Sequence, residues 1–128
     1  KEVEKIAMDA VMEKERHDGF EPRDVSSENR GYDIESIKVT DKDSIIRFIE
    51  VKGRRTDADK VTVTYNERNV GKNKGENYIL AIVRVDNDNP ESPVSKITYI
   101  PNPFKDSDCF VTQISYDIDK LEQMGKQG

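Results

Sequence analysis

The stretch from Gly31 to Gly53 constrains this chain most. It opens Gly31-Tyr-Asp-Ile-Glu-Ser36, passes the polar segment Val39-Thr-Asp-Lys-Asp-Ser44, and continues into a run from Ile45 to Lys52. Ile45, Ile46, Phe48, Ile49 and Val51 make that run strongly β-prone. The turn formers between the two runs predict an antiparallel hairpin. Side chains alternate along a strand, so Glu50 and Lys52 share one face and Val51 takes the other. Asp33, placed on the partner strand, reaches the same end of the sheet. Three charges then meet on a surface whose apolar neighbours bury it, and buried charge is costly unless it is paired or bound to metal. Two carboxylates open on one side suit a hard divalent cation such as Mg²⁺, which keeps several waters. An adjacent ammonium suits phosphate charge.

Asp33 followed by Glu50-Val51-Lys52 on the next strand resembles the PD-(D/E)XK signature of restriction-endonuclease-like nucleases. Glu50-Val51-Lys52 is the only acid-x-Lys triplet in the chain. The blocks VEKIAMDAVMEKER, GFEPRDVS, NRGYDIES, FIEVKGR and VTVTYNE are similar to the domain named after the C-terminal part of the plant protein NO VEIN, over roughly residues 2 to 85. The resemblance implies an α/β (α+β) fold, a restriction-endonuclease-like mixed β-sheet flanked by helices with an αβββαβ core. It implies a metal-dependent DNA nuclease in which Asp33, Glu50 and the Val51 carbonyl hold Mg²⁺ or Mn²⁺. Lys52 would orient the attacking water or stabilise the developing negative charge. Such enzymes often add a carboxylate from their first helix, which makes Glu4 and Glu15 candidates. The domain is often attached to helicase-like proteins. Companion domains of a larger helicase-like, DNA-repair or restriction/defence protein are therefore expected partners beside DNA. The alternative is a non-catalytic module of the same fold, used for DNA contact or protein docking. In a third reading Lys52 is only a structural salt-bridge partner of Asp33 and Glu50.

The 128 residues suffice for one domain with a core. Hydrophobic content of 34% against 37% charged residues gives a polar surface. No apolar run is long enough to span a membrane, and no signal-peptide pattern is present. The first residue is Lys1, as expected of a domain excised from a larger protein. The single Cys109 excludes an internal disulfide and a Cys-based zinc site and fits a reducing, cytoplasmic setting. The lone His17 excludes a multi-histidine metal site. A net charge of −5 argues against tight autonomous DNA binding, since phosphate neutralisation dominates such affinity. The oligomeric state is left open, with a homodimer among the options.

Residues 2 to 17 read as an amphipathic helix through Val3, Ile6, Ala7, Ala10 and Val11, ended by Asp18-Gly19. Glu4 and Glu15 share one edge of it. Phe20 to Ser26 reads as a short strand, Ser27 to Arg30 as a turn, and Gly31 allows a positive φ or a close backbone approach before Asp33. Arg30 and Asn29 are placed to touch phosphate. Arg54 and Arg55, the only paired arginines, follow the ExK strand and are suited to hold a phosphodiester. Thr64 with Glu67 forms a capping-box pattern for a short helix after the Val61–Thr64 strand. Tyr78 to Val85 reads as a strand buried on both faces. Lys96 to Ile100 and Phe110 to Tyr116 read as further strands. A helix from Asp117 to Met124 is capped by Asp117, and fraying is expected from Gly125 onward.

Overall fold

A computed structural model describes residues 2–105 and 113–127. Helix α1 (Glu2–His17) opens the chain and buries Ala7 and Val11 completely. Gly19, at φ +89°, turns the chain out of the helix in a conformation that glycine adopts without steric cost. Strands β1 (Glu21–Asp24), β2 (Ile34–Val39) and β3 (Ser44–Arg55) then form an antiparallel meander. β4 (Lys60–Thr64) and helix α2 (Tyr65–Lys74) carry the chain across to β5 (Tyr78–Val85), which lies parallel to β3. Such parallel pairing needs a crossover of this kind. β6 (Val94–Pro101) returns antiparallel to β5. β7 (Gln113–Asp117), α3 (Ile118–Met124) and β8 (Lys126–Gln127) follow. The main sheet has the order β1-β2-β3-β5-β6-β8, while β4 and β7 make a separate two-stranded sheet. The expected mixed sheet flanked by helices is present, with β3 and β5 in its middle.

Every residue of β5 is buried. On one face α1 packs Ala7 and Val11 against Ile34, Ile49, Ala81 and Val83. On the other, Leu80, Ile82 and Ile100 meet Val61 of β4 and Ile118 and Leu121 of α3. A third cluster joins Val25, Tyr32, Val63, Tyr78 and Phe104. α1 approaches β3 so closely at Gly53 that a Cβ there would lie 2.7 Å from Ala7 Cβ and 2.8 Å from the Val3 carbonyl oxygen.

Several boundaries differ from the sequence reading. The first strand is confined to Glu21–Asp24, and a 3₁₀ turn occupies Ser26–Glu28. Tyr32 and Ile34 are both buried but belong to different clusters, because the chain bends between them. The tip of the β2–β3 hairpin is open, with Ile37 40%, Val39 76% and Ile45 45% exposed. Residues 126–127 pair with β6 where fraying is expected. Gly125 permits it, since a Cβ there would sit 2.7 Å from the Tyr99 carbonyl oxygen. Of the strand expected over Phe110 to Tyr116, only the part from Gln113 lies within the described residues, and Cys109 lies outside them.

Candidate active site

β2 pairs with β3 only as far as Ile34 opposite Ile49. One residue earlier the chain bends. The Asp33 N–H donates to the Ile49 carbonyl at 2.8 Å, while the Asp33 carbonyl accepts from the Val25 N–H at 2.8 Å. Asp33 therefore stands in the bend before β2, not on the strand itself. Past Ile49 the β2 side of β3 has lost its neighbour, and its backbone groups need other partners. The Asp33 side chain supplies one: Oδ2 accepts the Val51 N–H at 2.9 Å. In an extended strand the N–H and C=O of a residue open to the same side, so the Val51 carbonyl also faces this gap. The bend depends on Gly31, at φ +86° and packed so tightly that a Cβ would fall 2.7 Å from Val70 Cγ2.

Glu50 and Lys52 project from the other face of β3 to Val51, as the strand period requires. Lys52 Nζ lies 3.2 Å from Glu50 Oε2 and 3.0 Å from Glu67 Oε1. Glu67 belongs to the first turn of α2. Its Oε1 also accepts the Thr64 N–H at 3.0 Å, and Thr64 Oγ1 accepts the Glu67 N–H at 3.1 Å, completing the expected capping box. Sequence reasoning missed Glu67 as a site residue. The cap already explained its residue type, and only the tertiary packing of α2 beside β3 reveals the second role.

Burial raises the Asp33 carboxyl above its usual range, against the opposing Val51 N–H bond and the Lys52 charge. Glu50 is pushed up to about 9, first by burial and then by the charge of Asp33, with Lys52 opposing. Burial pulls Lys52 down, but Glu50 and Glu67 outweigh it and hold the ammonium above its ordinary value. For Glu67 burial is outweighed by the Thr64 N–H and by Lys52, which together hold it low. In the cation-free site, burial and the Asp33 charge together favour the protonated form of Glu50.

A cleft of about 620 Å³ opens onto Asp33, Glu50, Val51 and Lys52, with Glu4 and Lys5 of α1 on one wall and Thr62 of β4 on another. A second hollow of about 220 Å³, reaching Asn29, Asn66 and Glu67, shares Ser26, Asp33 and Glu50 with it. The two carboxylates stand where the hollows meet. Glu4 thus lines the cleft, whereas Glu15 does not reach it. Eleven residues along α1 amount to about 16 Å. Glu15 is fully buried, with Oε2 accepting from Arg47 and from the Tyr99 hydroxyl, both at 2.7 Å. Arg30 borders the second hollow but is engaged by Glu28 at 2.6 Å and Glu35 at 2.8 Å. Arg54 lines the main cleft, donating through Nε to the Lys60 carbonyl at 2.9 Å. Arg55 lines neither hollow, and its carbonyl accepts from Arg84 at 3.1 Å.

Among the described residues no group of three or more His, Cys, Asp and Glu side chains is placed to hold a metal ion. The donor set at the gap is two carboxylates and one carbonyl beside an open cleft. All are hard oxygens. That chemistry fits a hydrated Mg²⁺ or Mn²⁺ and offers nothing that favours Zn²⁺.

The family model described as "Protein NO VEIN, C-terminal" matches residues 3–100, and the chain belongs to that family. No curated protein and no solved structure gives a match. No helix among the described residues is long and apolar enough to cross a membrane.

Proposed function

We propose that this member of the NO VEIN C-terminal family is a nuclease domain that hydrolyses phosphodiester bonds in DNA, with Mg²⁺ or Mn²⁺ as its cofactor. The supporting observation is the half-buried Asp33 beside the buried Glu50, with the Lys52 ammonium 3.2 Å from Glu50, at the floor of an open cleft. Asp33, Glu50 and the Val51 carbonyl would hold the ion. When bound, the ion acidifies a water and offsets phosphate charge. Glu50 would have to give up its proton to solvent in order to hold the ion. Lys52, held as an ammonium beside Glu50 and Glu67, would donate to a phosphate oxygen as negative charge develops there. It has no proton vacancy to act as a base, so stabilisation is the role assigned to it. Arg54 and Lys5 on the cleft walls receive the flanking phosphates. With a net charge of −5, most of the grip on DNA falls to companion domains of a longer protein. A reducing, cytoplasmic compartment suits a chain with the single Cys109.

The acidic balance also favours a second reading, a non-catalytic module docking to protein or DNA. One experiment separates them: Mg²⁺ calorimetry together with plasmid nicking, on the wild type and on Asp33→Asn. The nuclease reading expects Mg²⁺ binding and nicking, both lost in Asp33→Asn. A wild type that binds Mg²⁺ no better than Asp33→Asn, and cuts nothing, leaves only the docking module.

A further inference from the structure

We infer that Glu67 is a positioning residue for Lys52, keeping the ammonium at the cleft wall and off the cation's ligand. The inference rests on the reading above for the identity of that ligand. Lys52 Nζ is shared between Glu50 Oε2 at 3.2 Å and Glu67 Oε1 at 3.0 Å. The two anchors are not equivalent. Glu50 is the carboxylate a cation would claim, so ammonium and cation compete for it. Glu67 is held without help from Lys52, by the Thr64 N–H at 3.0 Å and by its place in a complete capping box. The helix that carries it is seated against the core: Gly71 packs so closely that a Cβ would lie 2.7 Å from the Phe104 ring. Glu67 is therefore a fixed acceptor, and it retains Lys52 when Glu50 turns to the ion. If Glu67 loses its charge, Glu50 becomes the stronger anchor, and the ammonium blocks a metal ligand.

The bland reading of Glu67 is a helix cap and nothing more. Glu67→Gln separates the two, because glutamine also serves at this capping position and keeps the side-chain shape. The measurement is Mg²⁺ calorimetry on the wild type, Glu67→Gln, Lys52→Ala and the double variant. Glu67→Gln is expected to weaken Mg²⁺ about tenfold, yet by less than about twofold in the Lys52→Ala background, as coupling through the lysine requires. In nicking, kcat should fall while KM for DNA moves less than about twofold. Thr64→Ala controls for the helix: it should lower Tm and leave Mg²⁺ affinity alone. Equal loss of affinity in both backgrounds overturns the inference, because Glu67 would then act without Lys52, either on the ion or through its side-chain hydrogen bond with Glu50. So does no loss in either, or a matching loss in Thr64→Ala. Those results leave the nuclease reading standing. Mg²⁺ binding with the predicted coupling but no cleavage of any DNA does the reverse. A wild type that binds neither Mg²⁺ nor Mn²⁺ overturns both.

Discussion

Glu50 is only 4% exposed, and its carboxyl is pushed up to about 9 by burial and then by Asp33. A carboxyl whose folded pKa lies above its unfolded value stabilises the fold while it stays protonated. That contribution is whole below the unfolded value of about 4.3 and is lost as pH rises towards 9. The cation-free domain should accordingly melt lower near pH 9 than near pH 6. Glu50→Gln should flatten that slope and raise Tm near pH 9 by several degrees, equivalent to about 2 kcal/mol. Melting curves across pH check this, and a slope unchanged by Glu50→Gln would contradict it. Asp33→Asn tests the neighbouring group. The amide oxygen can still accept the Val51 N–H, so stability should change by less than about 1 kcal/mol while Mg²⁺ affinity is lost. The meeting of Asp33, Glu50 and Lys52 at one end of the sheet was legible from strand alternation and one hairpin, although Asp33 stands in the bend before β2 and not on the strand. Glu67 was not, since its partner lies fifteen residues away on a different element. The partition of Glu4 from Glu15 was equally hidden: helical angle shows which edge a residue shares, but not which end of the sheet that edge meets.

At the scale of elements, the site exists because β2 leaves β3 at Ile34 while β3 runs on to Arg55. The gap is held open on one side by α1, whose approach needs the missing Cβ of Gly53. Gly53→Ala should cost about 2 kcal/mol by overpacking against Ala7 and the Val3 backbone, read as a lower denaturant midpoint. An unchanged midpoint would mean that α1 does not approach β3 this closely at Gly53. α1, the β2–β3 hairpin, the buried β5 and the α2 and α3 caps were readable from periodicity and capping residues. The β4–β7 sheet was not, because its pairing joins segments some fifty residues apart. The same holds for β8, a two-residue strand that exists only because Gly125 lets the chain touch β6.

For the molecule as a whole, an acidic chain with few cleft cations should bind DNA weakly and with a shallow salt dependence. Arg54→Ala should reduce that salt slope by about 1, whereas Arg30→Ala should leave it nearly unchanged, because Glu28 and Glu35 already engage Arg30. Fluorescence anisotropy across salt concentrations reads both, and equal effects would place Arg30 on the DNA path as well. The central claim is that Lys52 serves a reaction at the Asp33–Glu50 pair and is not merely a structural counterion. Its most direct measurement is Mg²⁺-dependent nicking of supercoiled plasmid by wild type and Lys52→Ala, with the Tm of each taken in saturating Mg²⁺. We expect nicking by the wild type, a loss of about a hundredfold or more in Lys52→Ala, and Tm values within a few degrees of each other. Equal nicking rates would contradict the account. So would a collapse of Tm, by the equivalent of about 3 kcal/mol or more, that Mg²⁺ does not restore.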